Sequence, residues 1–121
     1  MYRVTVLSAG TESEDMIRRL KTDSRFSETC WVFVKEEDST FKPNDVVPLL
    51  FVTMTEEGKL IFDETCFNSH AYWNEGRLAL VMSGTMQQIW AISLLVTKNS
   101  AISDLFYFDS DGRMRRIPVR V

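Results

Sequence analysis

The sequence predicts a single α+β domain with a mostly antiparallel sheet of about six to seven strands in hairpins, one N-terminal helix and a short second helix. Three observations predict this class: short segments alternate between apolar and polar residues, turn sequences containing glycine separate several of them, and one early segment carries helix-start signals. The 121 residues, 45% hydrophobic and 26% charged, match a single folded domain over 1–121. A chain of this size needs neither a disulfide nor a structural metal to bury a core.

Two strands are predicted in the first third of the chain. Residues 2–7 alternate, which places Tyr2 and Val4 on one face of an opening strand. Cys30–Lys35 is apolar on both of its faces, as is typical of a central strand covered on each side.

A helix is predicted between these strands, from about residue 11 to residue 22. Thr11 and Glu14 have the spacing of a capping box, and acidic residues precede basic ones, as the helix dipole favours. A short second helix is predicted within residues 65–75, where apolar residues have helical spacing among loop-forming ones.

The remaining strands are predicted as hairpins, because glycine-containing turns separate apolar segments. Pro118 is typical of an edge strand, since proline cannot donate to a neighbouring strand. The predicted pairs are Leu49–Met54 with Lys59–Asp63, Arg77–Met82 with Gln88–Thr97, and Leu105–Phe108 with Arg113–Val121.

The uncharged stretch from residue 78 to residue 97 has the length of a membrane span. Polar residues at its centre, among them Gln87 and Gln88, instead favour a buried hairpin, so no membrane association is predicted. A helix over 86–95 stays open as an alternative, because a short apolar run fits the side-chain period of a helix as well as that of a strand.

Cysteine usage favours a reducing, cytoplasmic location. Cys30 and Cys66 form neither a C-x-x-C motif nor a secreted disulfide framework, and the N-terminus does not resemble a signal peptide. Cys66 and His70, with Glu64 nearby, have the types and spacing of a nucleophile, base and orienting acid. A half-buried cysteine and a surface histidine are the favoured explanation, because the chain has one histidine and no oxyanion-hole glycines beside Cys66, so no catalytic residue is assigned.

No cofactor or metal is predicted. The segment Asp109-x-Asp-Gly resembles the start of a calcium loop, but arginines follow where the loop needs a glutamate, which favours a hairpin turn. Neither a phosphate loop nor a dinucleotide-binding fingerprint occurs.

Charge distribution suggests a basic protein partner and argues against direct nucleic-acid binding. Residues 36–75 contain nine acidic residues against two lysines. The leading hypothesis is therefore an inhibitor or immunity-type protein that covers a basic site on a nuclease toxin or defence effector. Carboxylates would select the partner and aromatic side chains would supply buried contact, at the predicted partner-binding residues Glu36, Glu37, Asp38, Asp63, Glu64, Tyr72 and Trp73.

Two other hypotheses remain. A small-ligand-binding or enzymatic domain would have a pocket near residues 65–77, into which His70, Tyr72 or Arg77 reaches. A structural subunit would form a homo-oligomer through the C-terminal edge strand near Val121. Trp31 and Trp90 are expected in the core, because their predicted strands are apolar on both faces.

Overall fold

The computed structural model describes residues 1–61, 77–99 and 102–119. Within them the chain forms seven strands, two α-helices and a short 3-10 helix, Ser24–Phe26. The helices are α1 (Thr11–Lys21) and α2 (Met86–Asn99). The strands are β1 (Tyr2–Ser8), β2 (Cys30–Glu36), β3 (Pro48–Met54), β4 (Leu60–Ile61), β5 (Arg77–Val81), β6 (Asp104–Phe108) and β7 (Met114–Pro118).

All seven strands belong to one sheet, in the order β4-β3-β2-β1-β5-β6-β7. The five inner strands are mutually parallel, and β4 and β7 run antiparallel to their neighbours. The predicted α+β class and strand number are confirmed, but the sheet is mixed rather than mostly antiparallel. The helices account for this difference. Each of α1 and α2 returns the chain to the end of the sheet where the preceding strand began, so that β2 and β6 run parallel to β1 and β5.

The two helices cover opposite faces of the sheet. On one face, Ile17 and Leu20 of α1 pack in a cluster with Trp31 and Phe33. On the other face, Ala91 and Ile92 of α2 pack in a cluster that contains these strand residues: Val4, Val6, Val32, Val34, Val52 and Leu80. The prediction that Cys30–Lys35 forms a central strand covered on both sides is therefore confirmed.

Tyr2 lies on the opposite face from the one predicted. Its ring packs against Phe26 at 5.0 Å and Phe106 at 5.4 Å between centroids, on the α1 side. The pairing of β1 with β5 shifts register between Tyr2 and Val4, and this irregularity turns the first side chain to the other face.

The predicted strand over Gln88–Thr97 is wrong, because these residues belong to α2. The alternative helical reading is the correct one. The expectation that Trp90 lies in the core is also wrong: its side chain is 65% exposed, whereas Trp31 is buried as predicted. A helix turns Trp90 away from Ile92, which a strand would place on the same face.

The hairpin and N-terminal helix predictions are largely confirmed, whereas the short second helix predicted within residues 65–75 lies outside the described residues. β3 and β4 form the predicted hairpin around Gly58, and β6 and β7 form the predicted C-terminal hairpin, with β7 at the edge of the sheet. The helix α1 starts where predicted, but its N-cap is Gly10 and the reciprocal residue is Ser13 rather than Glu14. Across the described ranges, no helix is long and apolar enough to span a membrane.

Candidate functional site

A crevice opens at the carboxyl edge of the parallel strands, between β1 and β5. The chain leaves β1 towards β2 and leaves β5 towards β6, so the two connections diverge and strand order reverses at this point. Ligands of open parallel sheets bind at such a switch point. The crevice has a volume of about 370 Å³ and is lined by Ser8, Ala9, Gly10, Ser13, Ser83, Gly84, Thr85 and Gln88.

Buried polar side chains concentrate in this crevice. Of the six buried polar or charged residues among those the structure describes, four line it: Ser8, Ser13, Ser83 and Gln88. Burial of a polar group costs free energy unless the group is hydrogen-bonded. Their concentration at one edge therefore points to a local role rather than to general packing.

Hydrogen bonds between serines join the two turns that form the crevice. The hydroxyl oxygens of Ser8 and Ser83 lie 3.0 Å apart, and the Ser8 amide donates to the Ser83 hydroxyl at 3.2 Å. Ser13 donates to the carbonyl oxygen of Ser8 and accepts from the amide of Gly10 at 3.0 Å. These bonds hold the two helix starts in a defined relation to each other.

Both helices begin at the crevice. Thr85 and Gln88 form a capping box at the start of α2. The backbone amide of Gln88 donates to Thr85 Oγ1 at 3.2 Å, and the backbone amide of Thr85 donates to the side-chain oxygen Oε1 of Gln88 at 2.9 Å. At the start of α1, the Gly10 backbone amide donates to Ser13 Oγ at 3.0 Å, and the Ser13 backbone amide donates to the Gly10 carbonyl oxygen at 3.0 Å. Each helix dipole is positive at this end, so the two positive ends converge on one space.

Gly84 closes the crevice on the β5 side and must be glycine. Its φ of +84° lies in the left-handed region. A Cβ at this position would lie 2.2 Å from Gln88 Oε1 and 2.5 Å from Ser8 Oγ. Backbone conformation and close approach therefore both require a residue without a side chain.

Two further recesses continue the crevice along the same edge. One, of about 520 Å³, shares Ala9, Gly10 and Gln88 with the crevice and adds Phe41 and acidic residues from the end of β2. The other, of about 460 Å³, lies between the end of β2 and the β3–β4 turn, where it is lined by Glu36, Glu37, Asp38, Met54, Thr55, Glu56 and Gln87. We call the carboxylates of Glu36, Glu37, Asp38 and Glu56 the acidic rim.

The structure brings some of the predicted partner-binding residues together. Glu36, Glu37 and Asp38 are exposed and lie next to Glu56 in the acidic rim. Four of the predicted residues, Asp63, Glu64, Tyr72 and Trp73, lie outside the described residues, as do Cys66 and His70.

Arg77 lies far from the crevice, in a polar cluster at the amino ends of the parallel strands. Arg77 Nη2 is 2.6 Å from Asp104 Oδ2, and the Tyr2 hydroxyl donates to the same oxygen at 2.5 Å. All three residues stand at the amino ends of neighbouring strands, so this cluster ties the sheet together on the side away from the crevice.

The segment that resembles a calcium loop is a hairpin turn, as predicted. The Asp109 carboxylate accepts from the amides of Asp111 and Arg113 and from Arg115 Nε, at 2.9–3.0 Å. Backbone donation from Arg113 and the Arg115 guanidinium lower the pKa of Asp109. In the described part of the chain, no cluster of histidine, cysteine or acidic side chains has the arrangement of a metal site.

Sequence reasoning missed the crevice because it predicted a hairpin of Arg77–Met82 with Gln88–Thr97, in which Ser83-Gly84-Thr85 would be the turn. One signal was present: Thr85 and Gln88 have the capping-box spacing, directly after an apolar strand. A strand, a glycine-containing turn and a helix start in that order are typical of a ligand-binding βα turn. Comparison of this chain with protein families, with curated proteins and with solved structures finds no match.

Proposed function

We propose that this chain is a small-ligand-binding domain that holds the phosphate group of a nucleotide-like ligand in the switch-point crevice. The observation that carries the proposal is the convergence of two helix N-termini on a crevice lined with buried hydroxyl and amide groups. The proposal keeps the small-ligand hypothesis but moves the pocket from residues 65–77 to the turns after β1 and β5.

Phosphate is the chemistry that the crevice suits. The first amides of a helix have no acceptor within the helix, and they carry the positive end of its dipole. Phosphate oxygens accept from such amides without any lysine or arginine. None of the eight residues that line the crevice carries a carboxylate that would repel the anion.

The adjoining recess supports a nucleotide over free phosphate. The carboxylates of Glu36 and Asp38 in this recess can accept from sugar hydroxyls, and the half-buried ring of Phe41 offers an apolar surface for a base. In dinucleotide-binding folds an acidic residue in the corresponding place, after the first βα turn, binds ribose.

A titration of the protein with adenosine 5′-monophosphate (AMP), inorganic phosphate and adenosine, followed by calorimetry, tests the proposal. We expect saturable binding of AMP and of phosphate, with AMP the tighter of the two and adenosine much the weakest. Absence of saturable binding by both phosphate-bearing compounds would refute the proposed function. Tighter binding of adenosine than of AMP would show that phosphate is not what the crevice recognises.

The variant Gly84→Ala locates the binding site, and Gly58→Ala is its matched control. Both glycines have a positive φ, +83° at Gly58 and +84° at Gly84, so both substitutions strain the backbone by about 1–2 kcal/mol. Among the described residues, a Cβ at Gly58 meets only Gln87 Nε2, at 3.5 Å, whereas one at Gly84 intrudes on the crevice. We expect only Gly84→Ala to abolish AMP binding; equal affinities of the two variants would place the ligand elsewhere.

A second candidate function is the capture of a basic protein, as an inhibitor or immunity-type protein would perform it. The observation that favours it is the acidic rim, whose four carboxylates make no ion pair among the described residues. Uncompensated carboxylates on one surface attract and orient a basic partner.

Charge reversal tests this second function. The triple variant Glu36→Lys, Glu37→Lys and Asp38→Lys should lose a basic partner that the wild-type protein captures from its native source. Glu28→Lys, an exposed position before β2 at the other edge of the sheet, is the control and should retain it. Retention of the same partner by the triple variant, quantified by mass spectrometry, would refute the rim as the binding surface.

A further inference from the structure

Within the part of the chain that the structure describes, the side-chain amide of Gln88 has a donor group without a partner. Gln88 is only 6% exposed, and its Oε1 accepts from the Thr85 amide at 2.9 Å. Its Nε2 has no acceptor among the described residues. The same side chain lines both the crevice and the recess that contains Phe41, so it stands where the two spaces meet.

A buried amide donor is normally satisfied, and an unsatisfied one in a native site indicates a missing partner. Within the proposed function, that partner is the ligand. We propose that Gln88 selects the ligand of the crevice by donating from Nε2 to one of its phosphate oxygens.

The orientation of the Gln88 side-chain amide determines which group it presents to the ligand. The backbone amide of Thr85 occupies Oε1, and a Cβ on Gly84 would lie 2.2 Å from that oxygen. Rotation of the amide by half a turn would place two donors, Nε2 and the Thr85 amide, against each other. Gln88 therefore presents a donor to the ligand, and it favours ligands with an acceptor at that point over cations and over ligands that only donate.

The variant Gln88→Glu tests the inference with little change of shape. A glutamate keeps an oxygen for the Thr85 amide but presents a negative charge where the amide donated. We expect AMP and inorganic phosphate to bind about tenfold to a hundredfold more weakly, because a charge-assisted hydrogen bond is replaced by repulsion.

Gln87→Glu is the matched control, since it adds the same charge one residue earlier on an exposed side chain that lines the recess of the acidic rim and not the crevice. We expect its affinity for AMP to stay within about threefold of the wild-type value, because an exposed charge is screened by solvent and salt. An equal loss of AMP affinity in both variants would show that added negative charge alone weakens binding, and it would overturn the role of Gln88.

A measurement on the wild-type protein covers the case in which Gln88→Glu does not fold. In a two-dimensional ¹H–¹⁵N spectrum, saturating inorganic phosphate should shift the side-chain amide signals of Gln88 and leave those of Gln87 in place. Binding of phosphate without a shift at Gln88 would refute this inference but leave the proposed function standing. Absence of binding of both AMP and inorganic phosphate to the wild-type protein would refute both.

Discussion

Asp104 is a buried carboxylate whose partners Tyr2, Arg77 and Arg116 come from three other strands. Its side chain is 5% exposed, while the side chain of Arg77, which binds it, is 48% exposed. The guanidinium of Arg77 also lies over the ring of Tyr2, at 4.7 Å from the centroid. A carboxylate in this position is stabilised only as long as its donors are present, because an unpaired buried charge is costly.

We therefore predict that Asp104→Asn lowers the free energy of unfolding by about 2 kcal/mol, since the hydrogen bonds to a charged acceptor become weaker or are lost. Urea denaturation at about pH 7 measures the change. Asp15→Asn is the control: Asp15 pairs with Arg18, but both side chains are largely exposed, so the loss should stay within about 0.5 kcal/mol. Similar losses in the two variants would contradict a structural role for Asp104.

The same cluster predicts how stability depends on pH. Burial acts to raise the pKa of Asp104, but hydrogen bonds from Tyr2 and Arg77 and the charges of Arg77 and Arg116 outweigh it, so the pKa is lowered from 3.8. The native state thus binds this proton less tightly than the unfolded chain does. Its contribution to stability is present above the ordinary pKa of 3.8 and is lost as pH falls through the lower native value.

Tyr2 has the opposite dependence. Burial, the hydrogen bond to Asp104 and the charge of Asp104 raise the pKa of Tyr2 above 10.0. Its contribution is present below this ordinary value and is lost as pH rises through the native pKa. We predict that Tyr2→Phe flattens the alkaline fall in stability, and that Asp104→Asn flattens part of the acid fall, when urea midpoints are measured across pH. Unchanged curves in both variants would contradict the assignment.

At the level of elements, the pattern of buried and exposed residues in α2 distinguishes a helix from a strand. Ala91 and Ile92 are buried against the sheet, whereas Met86, Trp90 and Leu94 are exposed at every fourth residue. A strand would place Trp90, Ile92 and Leu94 on one face and bury or expose them together.

Alanine substitutions in α2 distinguish these arrangements. We predict that Ile92→Ala lowers the free energy of unfolding by about 2–4 kcal/mol, because it leaves a cavity under the helix. Trp90→Ala should change it by less than about 1 kcal/mol, since the ring is 65% exposed. A larger loss at Trp90 than at Ile92 would contradict the orientation of α2.

At the level of the whole molecule, the carboxyl ends and the amino ends of the parallel strands carry different features. The crevice lies at the carboxyl ends of β1 and β5, and the Asp104 cluster lies at the amino ends of β1, β5 and β6. A strand with the seven residues of β1 separates the two edges by about 20 Å. Substitutions at such a distance, without shared partners, act independently.

We predict that Asp104→Asn lowers stability without changing the dissociation constant for AMP, measured by calorimetry well below the unfolding transition. Gly84→Ala should abolish binding, and in the double variant the losses of stability should add within about 0.5 kcal/mol. Non-additive losses would show that the two edges are coupled through the sheet.

The edge strand β7 makes homo-oligomerisation a separate prediction for the whole molecule. Its outer side has no partner strand among the described residues, and Ile117 in this strand is 44% exposed. Sedimentation equilibrium would detect a dimer formed through this edge, and Ile117→Lys should abolish it. A monomer at all concentrations would contradict this mode of assembly.

Local sequence determined the elements whose signals lie within a few residues. The alternation of residues 2–7, the doubly apolar Cys30–Lys35 and the glycine at residue 58 were enough to predict two strands and a hairpin. Turn chemistry and side-chain period act over neighbouring residues, so one chain segment is sufficient to reveal them.

Tertiary structure decided the direction of the inner strands, the identity of α2 and the candidate site. Residues 86–95 fit a strand or a helix by period, and packing of Ala91 and Ile92 on the valines of β1 and β2 resolves the choice. Ser8 and Ser83 are 75 residues apart in sequence and meet only because β1 and β5 are parallel neighbours. Parallel pairing joins segments with long connections between them, and no local pattern encodes which segments will meet.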